Sequence, residues 1–231
     1  MEAGDWVVDA ERLTGRDLVR LGGMLDERPE PLDGRTAAMA LAEQLLKVRT
    51  SAGTIEALVA NSVQREFEIR RGSRNIVLKA RQLGLTTWTA ARFFLKTITR
   101  PGTLTLQVAH TMDSAEEIFR IVHRFLDYLP DRLRKEYLRT SQENMRQIVF
   151  PSLESQYRVV SAGERNAGRG LTIQNLHCSE LARWPGDPAE TLAGLRAALA
   201  PNGELAGTYG TTTLALPPVL TGVGLVLQKE S

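Results

Sequence analysis

Short apolar runs alternate with longer amphipathic segments along most of the chain. The apolar runs predict strands at 75–80 (NIVLKA), 103–110 (TLTLQVAH), 146–151 (RQIVFP), 156–163 (QYRVVSAG) and 171–180 (LTIQNLHCSE). Apolar residues at helical spacing predict helices at 36–48, 86–97, 115–129 and 187–200. Strands that alternate with helices of this length indicate an α/β domain with a mainly parallel sheet flanked by helices. The runs RQIVFP and QYRVVSAG are close enough together to form a hairpin.

Composition supports one globular domain and excludes several classes of protein. The chain has 231 residues, of which 42% are hydrophobic and 24% charged, so it has enough apolar residues to fold. A net charge of +2 is too small to indicate nucleic-acid binding by itself. A single cysteine, Cys178, excludes an intrachain disulfide, and no apolar run is long enough to predict a membrane span. We therefore expect a soluble protein of the cytoplasm.

The chain divides into three parts by composition. Residues 1–54 predict a short helical N-terminal segment with a linker, and residues 55–206 form the α/β domain. Residues 207–231 are rich in Gly, Thr and Pro. We expect no further apolar strand after Ala206, and therefore a sheet with an exposed edge.

The segment KARQLGLTT, 79–87, follows the first predicted strand and precedes a helix. A phosphate-binding loop has the form G-x-x-x-x-G-K-[ST] between a strand and a helix. Gly84 and Thr86 match its second glycine and its hydroxyl, whereas Leu85 stands where the lysine is usual. Lys79, at the start of the loop, and Arg81 can supply the missing cation. The alternative is an ordinary basic turn between a strand and a helix.

Two further segments favour the phosphate-binding loop over an ordinary turn. ANSVQREF, 60–67, precedes the loop, and LHCSELARWPG, 176–186, ends the last predicted strand with the pair Ser179–Glu180. Together with KARQLGLTT they resemble the ATPase domain of the large terminase subunit of tailed phages, over about residues 55–203. The resemblance implies a P-loop NTPase fold that binds ATP and Mg²⁺.

The resemblance also implies roles for individual residues. Glu180 would be the catalytic base, Gln64 would recognise adenine, and Ser179 would join Thr86 in binding magnesium, directly or through a water. The phosphates would be bound by Lys79, Arg81, Gln82, Gly84, Thr86 and Thr87. Arg169 is a candidate arginine finger that acts on a neighbouring subunit, with Arg165 as the second candidate. The alternatives are a surface-helix glutamine at Gln64, a solvated strand-end glutamate at Glu180 and ordinary surface arginines; we expect His110, Cys178 and Trp184 to be structural.

The function implied is ATP-driven packaging of double-stranded viral DNA into a procapsid, inside the host cell. The implied partners are DNA, a portal protein, a small terminase subunit and further copies in a ring. The family's S-T-x-N-G coupling motif and nuclease domain are not visible after Ala206, so we expect a truncated prophage copy that does not cut DNA. Two alternatives stay open: an inactive fragment of such a motor, and a helicase-like ATPase, for which a second motor domain would be needed.

Overall fold

The computed structural model describes residues 9–27, 34–79, 83–144, 146–164, 167–210 and 225–229. Its helices are α1 (Gly15–Met24), α2 (Ala37–Leu45), α3 (Ser62–Arg70), α4 (Leu85–Thr99), α5 (Met112–Asp127) and α6 (Pro188–Ala197). Its first strands are β1 (Lys47–Arg49), β2 (Ile55–Ala57), β3 (Arg74–Lys79), β4 (Leu104–Ala109) and β5 (Gln142–Asn144). The others are β6 (Gln147–Phe150), β7 (Ser155–Ser161), β8 (Ile173–Cys178), β9 (Leu199–Gly210) and β10 (Leu225–Lys229).

Eight strands form one sheet in the order β10-β3-β9-β8-β4-β7-β6-β5. The five strands from β3 to β7 in this order are parallel, and β10, β6 and β5 are antiparallel to their neighbours. Strands β1 and β2 form a separate hairpin. The predicted α/β class, with a mainly parallel sheet flanked by helices, is therefore confirmed, as is the β6–β7 hairpin.

The expectation that no strand follows Ala206 is wrong. Strand β9 continues to Gly210 and pairs with β3 from Leu205 to Gly210, and β10 pairs with the other edge of β3. The predicted boundary after Ala206 thus falls inside β9. The strand was missed because residues 206–210, AGTYG, are mostly small or polar and give neither an apolar run nor an alternation.

The sheet has a hydrophobic core on each face. The larger core packs α1, α2, α4 and α5 against the sheet and includes Phe93, Phe94, Phe125 and Tyr157. Helix α4 is buried on almost all sides, and α5 buries one amphipathic face. The smaller core lies on the opposite face, where Trp184 and Leu195 pack on β4 and β8. Among the described residues, no helix has both the length and the apolarity needed to cross a membrane.

A buried ion network fastens the N-terminal segment to the sheet. Arg92 of α4, whose side chain is fully buried, donates to both carboxylate oxygens of Glu204 at 2.9 and 3.0 Å and to Glu68 at 2.6 Å. Arg92 also contacts Asp26 at 2.8 Å, and Lys96 contacts Glu204 at 2.8 Å. Burial alone would raise the pKa of Glu204, but Arg92 and Lys96 outweigh it and hold that pKa far below its usual range.

Candidate functional site

The predicted site residues converge on one edge of the sheet. Strands β3, β9, β8 and β4 are parallel, so their carboxyl ends meet at this edge, where open α/β sheets bind ligands. Strand β3 leads into the loop before α4, and β8 leads into the acidic turn at Ser179–Glu180. Strand β9 lies between β3 and β8, so the loop and the acidic turn are not on adjacent strands.

Helix α4 begins at the predicted phosphate loop without a side-chain cap. Its N-cap residue is Gly84, with φ +70°, a left-handed conformation that glycine adopts at little cost. Gly84 has no side chain that could accept from the first N–H groups of the helix, and the helix dipole favours an anion at this end. Thr86 and Thr87 lie in this first turn and are half-buried. The start of α4 therefore has the chemistry of an anion site.

Leu85 explains why this loop cannot carry a lysine directly after its second glycine. Its side chain is buried, with 1% exposed, and belongs to the larger core. A lysine there would bring its charge into that core. Lys79 is the last residue of β3, so its backbone lies at the carboxyl edge of the sheet, next to the loop. The position of its side chain is not among those that the structure describes.

Several predicted site residues lie outside the described residues altogether. These are the loop residues Arg81 and Gln82 and the second finger candidate Arg165. Their roles stay predictions, as does the phosphate contact of Lys79.

The motif ANSVQREF contacts the loop. Asn61 caps α3, and Gln64 completes a capping box with it. The Gln64 side chain also contacts the loop, since its Nε2 donates to the carbonyl of Gly84 at 2.9 Å. Asn61 Nδ2 likewise donates to the carbonyl of Leu83 at 3.3 Å. Gln64, with 4% of its surface exposed, thus braces the end of the loop, and its predicted contact with adenine stays a prediction.

The acidic turn has an unusual backbone. Glu180, half-buried, has φ +55° and ψ +48°, a left-handed conformation that is uncommon outside glycine. Its N–H donates to Oγ1 of Thr208 in β9 at 3.2 Å. The preceding residue, Ser179, is buried, and its carbonyl accepts from the indole of Trp184 at 2.9 Å. The turn is therefore held from β9 on one side and by Trp184 on the other.

His110 lies at the end of β4, near the same turn. Burial lowers the pKa of His110, and Arg183 lowers it further, while Glu180 acts in the opposite direction. The imidazole is therefore neutral at pH 7. Cys178, the residue before Ser179, is fully buried, and burial raises the pKa of its thiol well above the usual range. The burial of Cys178 agrees with the structural role expected of it, and the structural role of His110 stays a prediction.

Arg169 is separated from Glu180 within the chain. It is exposed in the turn before β8, whereas Glu180 follows β8, so the whole strand lies between them. At about 3.3 Å per residue, that strand spans roughly 20 Å. Arg169 therefore does not belong to the site of its own chain.

Sequence reasoning missed two residues that support the site, Asn61 and Thr208, and one at the opposite edge of the sheet, Glu204. Asn61 had a readable signal, because an Asn followed three residues later by a Gln at the start of a helix predicts a capping box. Thr208 and Glu204 had none, because each contacts a residue far away in sequence. Among the described residues, no group of three or more His, Cys, Asp or Glu side chains could hold a metal ion.

The fold is similar to that of solved phage proteins. The crystal structure of the large terminase of bacteriophage HK97 matches with a TM-score of 0.60 and 15% identity, over 74% of this chain and 36% of that chain. A variant of the large terminase ATPase domain of Thermus phage P74-26 matches with a TM-score of 0.50 and 19% identity, over 65% of this chain and 64% of that chain. The chain therefore spans about a third of the HK97 protein and less than two thirds of the P74-26 domain.

No protein-family model matches the chain, and no curated protein matches it significantly. At these identities the likeness concerns the fold. The chain has the fold of large terminase ATPase domains, as the sequence motifs predicted.

Proposed function

We propose that this chain hydrolyses ATP as the ATPase domain of a motor that packages double-stranded DNA into a procapsid. The observation that carries the proposal is the meeting of the uncapped start of α4 and the Ser179–Glu180 turn at one sheet edge, in a fold shared with large terminases. A portal protein, a small terminase subunit and further copies of the chain in a ring are the partners that this proposal implies.

The proposed reaction is attack of a water on the γ-phosphate of ATP. Glu180 orients the water and accepts its proton, which is the role of a general base. The first N–H groups of α4, with Lys79, Arg81 and Gln82, bind the phosphate oxygens, and Gly84 and Thr87 line the same turn. Gln64 is proposed to contact adenine as well as the loop. Arg169 would act on the site of the next subunit, which agrees with its distance from Glu180.

The oxygen donors of this edge fit a magnesium ion that stays largely hydrated. Thr86 and Ser179 offer hydroxyl oxygens, and the described residues hold no carboxylate cluster around them. Mg²⁺ commonly keeps several waters and takes the remaining ligands from substrate phosphates. When bound, it would neutralise charge on the β- and γ-phosphates.

The test measures phosphate release by the purified chain with ATP and Mg²⁺, with and without double-stranded DNA. The comparison variant is Glu180→Gln, which keeps the size of the side chain and removes its basicity. We expect this variant to lose about 10²- to 10⁴-fold in turnover while it still binds the nucleotide. Glu117→Gln, on the exposed face of α5, is the matched control and should keep wild-type turnover.

Turnover in the wild-type chain that does not exceed that of Glu180→Gln would refute an active ATPase. If nucleotide binding persisted in that case, the chain would be an inactive relative of such a motor. Stimulation of turnover by DNA would support a motor that acts on DNA.

A further inference from the structure

The backbone of Glu180 needs support from its surroundings. A residue with a Cβ in the left-handed region is less stable than in the right-handed region, and such residues concentrate at functional sites. The described residues contain two of them outside glycine, Glu154 and Glu180. Glu154 ends a short 3₁₀ turn, where Ser155 then starts β7. Glu180 instead carries the carboxylate proposed to be catalytic, so the direction of its side chain depends on this conformation.

Hydrogen bonds from three directions hold the turn. The N–H of Ser179 donates to the carbonyl of Val108 in β4 at 2.8 Å, which continues the ladder one residue beyond β8. The carbonyl of Glu180 accepts from the N–H of Arg183 at 2.8 Å and closes the 3₁₀ turn that follows. The remaining backbone group is the N–H of Glu180, and its partner is the hydroxyl of Thr208 at 3.2 Å. This bond is made by a side chain and can be removed by mutation.

Strand β9 leaves space for the acidic turn to pack on it. Gly207 lies opposite Cys178 in the register, and a Cβ on Gly207 would come within 2.9 Å of Leu181 Cδ1. The glycine therefore lets Leu181 of the turn pack directly on the strand. Thr208, the next residue, has 1% of its surface exposed and points its hydroxyl at the N–H of Glu180. Gly207 and Thr208 together supply the space and the acceptor that the turn needs.

Thr208 also connects the turn to the loop side of the site. On its other edge, β9 pairs with β3, and Thr208 lies opposite Val77, two residues before Lys79. A displacement of β9 at Thr208 would therefore also disturb the acidic turn and the strand that leads into the loop.

We propose that Thr208 is a positioning residue for hydrolysis, whose hydroxyl fixes the backbone of Glu180 and so aims its carboxylate at the attacking water. This inference rests on the proposed function, although the bond itself can be tested without it. Thr208 acts through Glu180 and does not contact the substrate.

The variant Thr208→Val keeps the shape of the side chain and removes the acceptor, and Thr208→Ser restores it. We expect the amide of Glu180 to exchange its hydrogen about tenfold faster in Thr208→Val than in the wild type, and at nearly the wild-type rate in Thr208→Ser. In ATP hydrolysis, Thr208→Val should lower kcat about 10- to 100-fold with KM for ATP within about twofold, because only the geometry of the base changes. Thr208→Ser should recover most of kcat.

Thr99→Val is the matched control. Thr99 is also a buried threonine, but its hydroxyl donates to the carbonyl of Leu95 at the far end of α4. It should change neither the Glu180 amide nor the ratio of kcat to KM. Thr208→Ala is a second variant without an acceptor, in case the valine disturbs packing.

The proposal is overturned if exchange at Glu180 is unchanged in both acceptor-less variants, or if Thr99→Val lowers kcat as much as Thr208→Val. A rise in KM with unchanged kcat would also overturn it. A wild-type chain without ATPase activity would refute the proposed function and the kinetic part, while amide exchange would still decide whether Thr208 holds the backbone of Glu180.

Discussion

Replacing Arg92 with methionine should be one of the most destabilising single changes in the chain. The guanidinium is fully buried and donates five hydrogen bonds: two to Glu204 and one each to Glu68, Asp26 and the carbonyl of Leu25. Methionine fills part of the space but leaves Glu68 buried with only Arg71 and the Trp88 indole, and Glu204 with Lys96. Removing one partner from a buried ion pair typically costs about 3–5 kcal/mol. That is a large share of a total stability of about 5–15 kcal/mol.

The measurement is urea unfolding at pH 7, followed by circular dichroism. With a slope of about 2.5–3 kcal/mol per molar urea, the midpoint should fall by roughly 1–2 M. Arg100→Met is the matched control. Its side chain is 29% exposed and its ion pair is with Asp26, itself 47% exposed, so the loss should be far smaller. Equal losses in the two variants would refute the assignment of stability to the buried network.

The pH dependence of the free energy of unfolding is a second test of the buried ion network. The pKa of Glu204 is lower in the folded chain than in the unfolded one, so its contribution is complete at pH 7 and is lost as the pH falls below about 4.3 toward the folded pKa. In Arg92→Met, Glu204 has lost the guanidinium that lowers its pKa, so its protonation relieves a buried charge. The difference in stability between wild type and variant should therefore narrow as the pH falls from 7 to 5. A constant difference over this range would contradict the electrostatic explanation.

Two further predictions follow from single residues. Gly84→Ala should lower stability by more than about 1–2 kcal/mol and weaken nucleotide binding, because the new Cβ would lie 2.7 Å from Gln64 Nε2 in a residue with positive φ. The control is Gly102→Ala, where φ is a similar +69° but a Cβ would meet no atom within 4 Å. Equal melting temperatures for the two variants would argue against the contact between Gln64 and the loop. Cys178, the chain's single thiol, should react with a disulfide reagent at pH 8 on the order of 10³-fold more slowly in the native state than in urea, because burial raises the pKa of the thiol. Stoichiometric labelling of the native protein within minutes would contradict this prediction.

The sequence predicted those parts of the fold that local patterns determine. Apolar runs identified β3, β4, β7 and β8, and the glycine and hydroxyls of 84–87 identified the start of α4. Strand β9 was not predicted: its first two residues fell at the end of the predicted helix 187–200 and its last four in the Gly-, Thr- and Pro-rich segment 207–231. A strand that is covered on both faces shows no alternation of apolar and polar residues. The contact of Gln64 with Gly84 and that of Thr208 with Glu180 depend on chain segments that meet only after folding.

The position of β9 also fixes the width of the site. Neighbouring strands lie about 4.8 Å apart, so one intervening strand holds the ends of β3 and β8 roughly 10 Å from each other. If β3 and β8 were neighbouring strands instead, the loop and the acidic turn would start about 5 Å closer together. Strand β9 is thus a spacer that sets the distance between the two sides of the site.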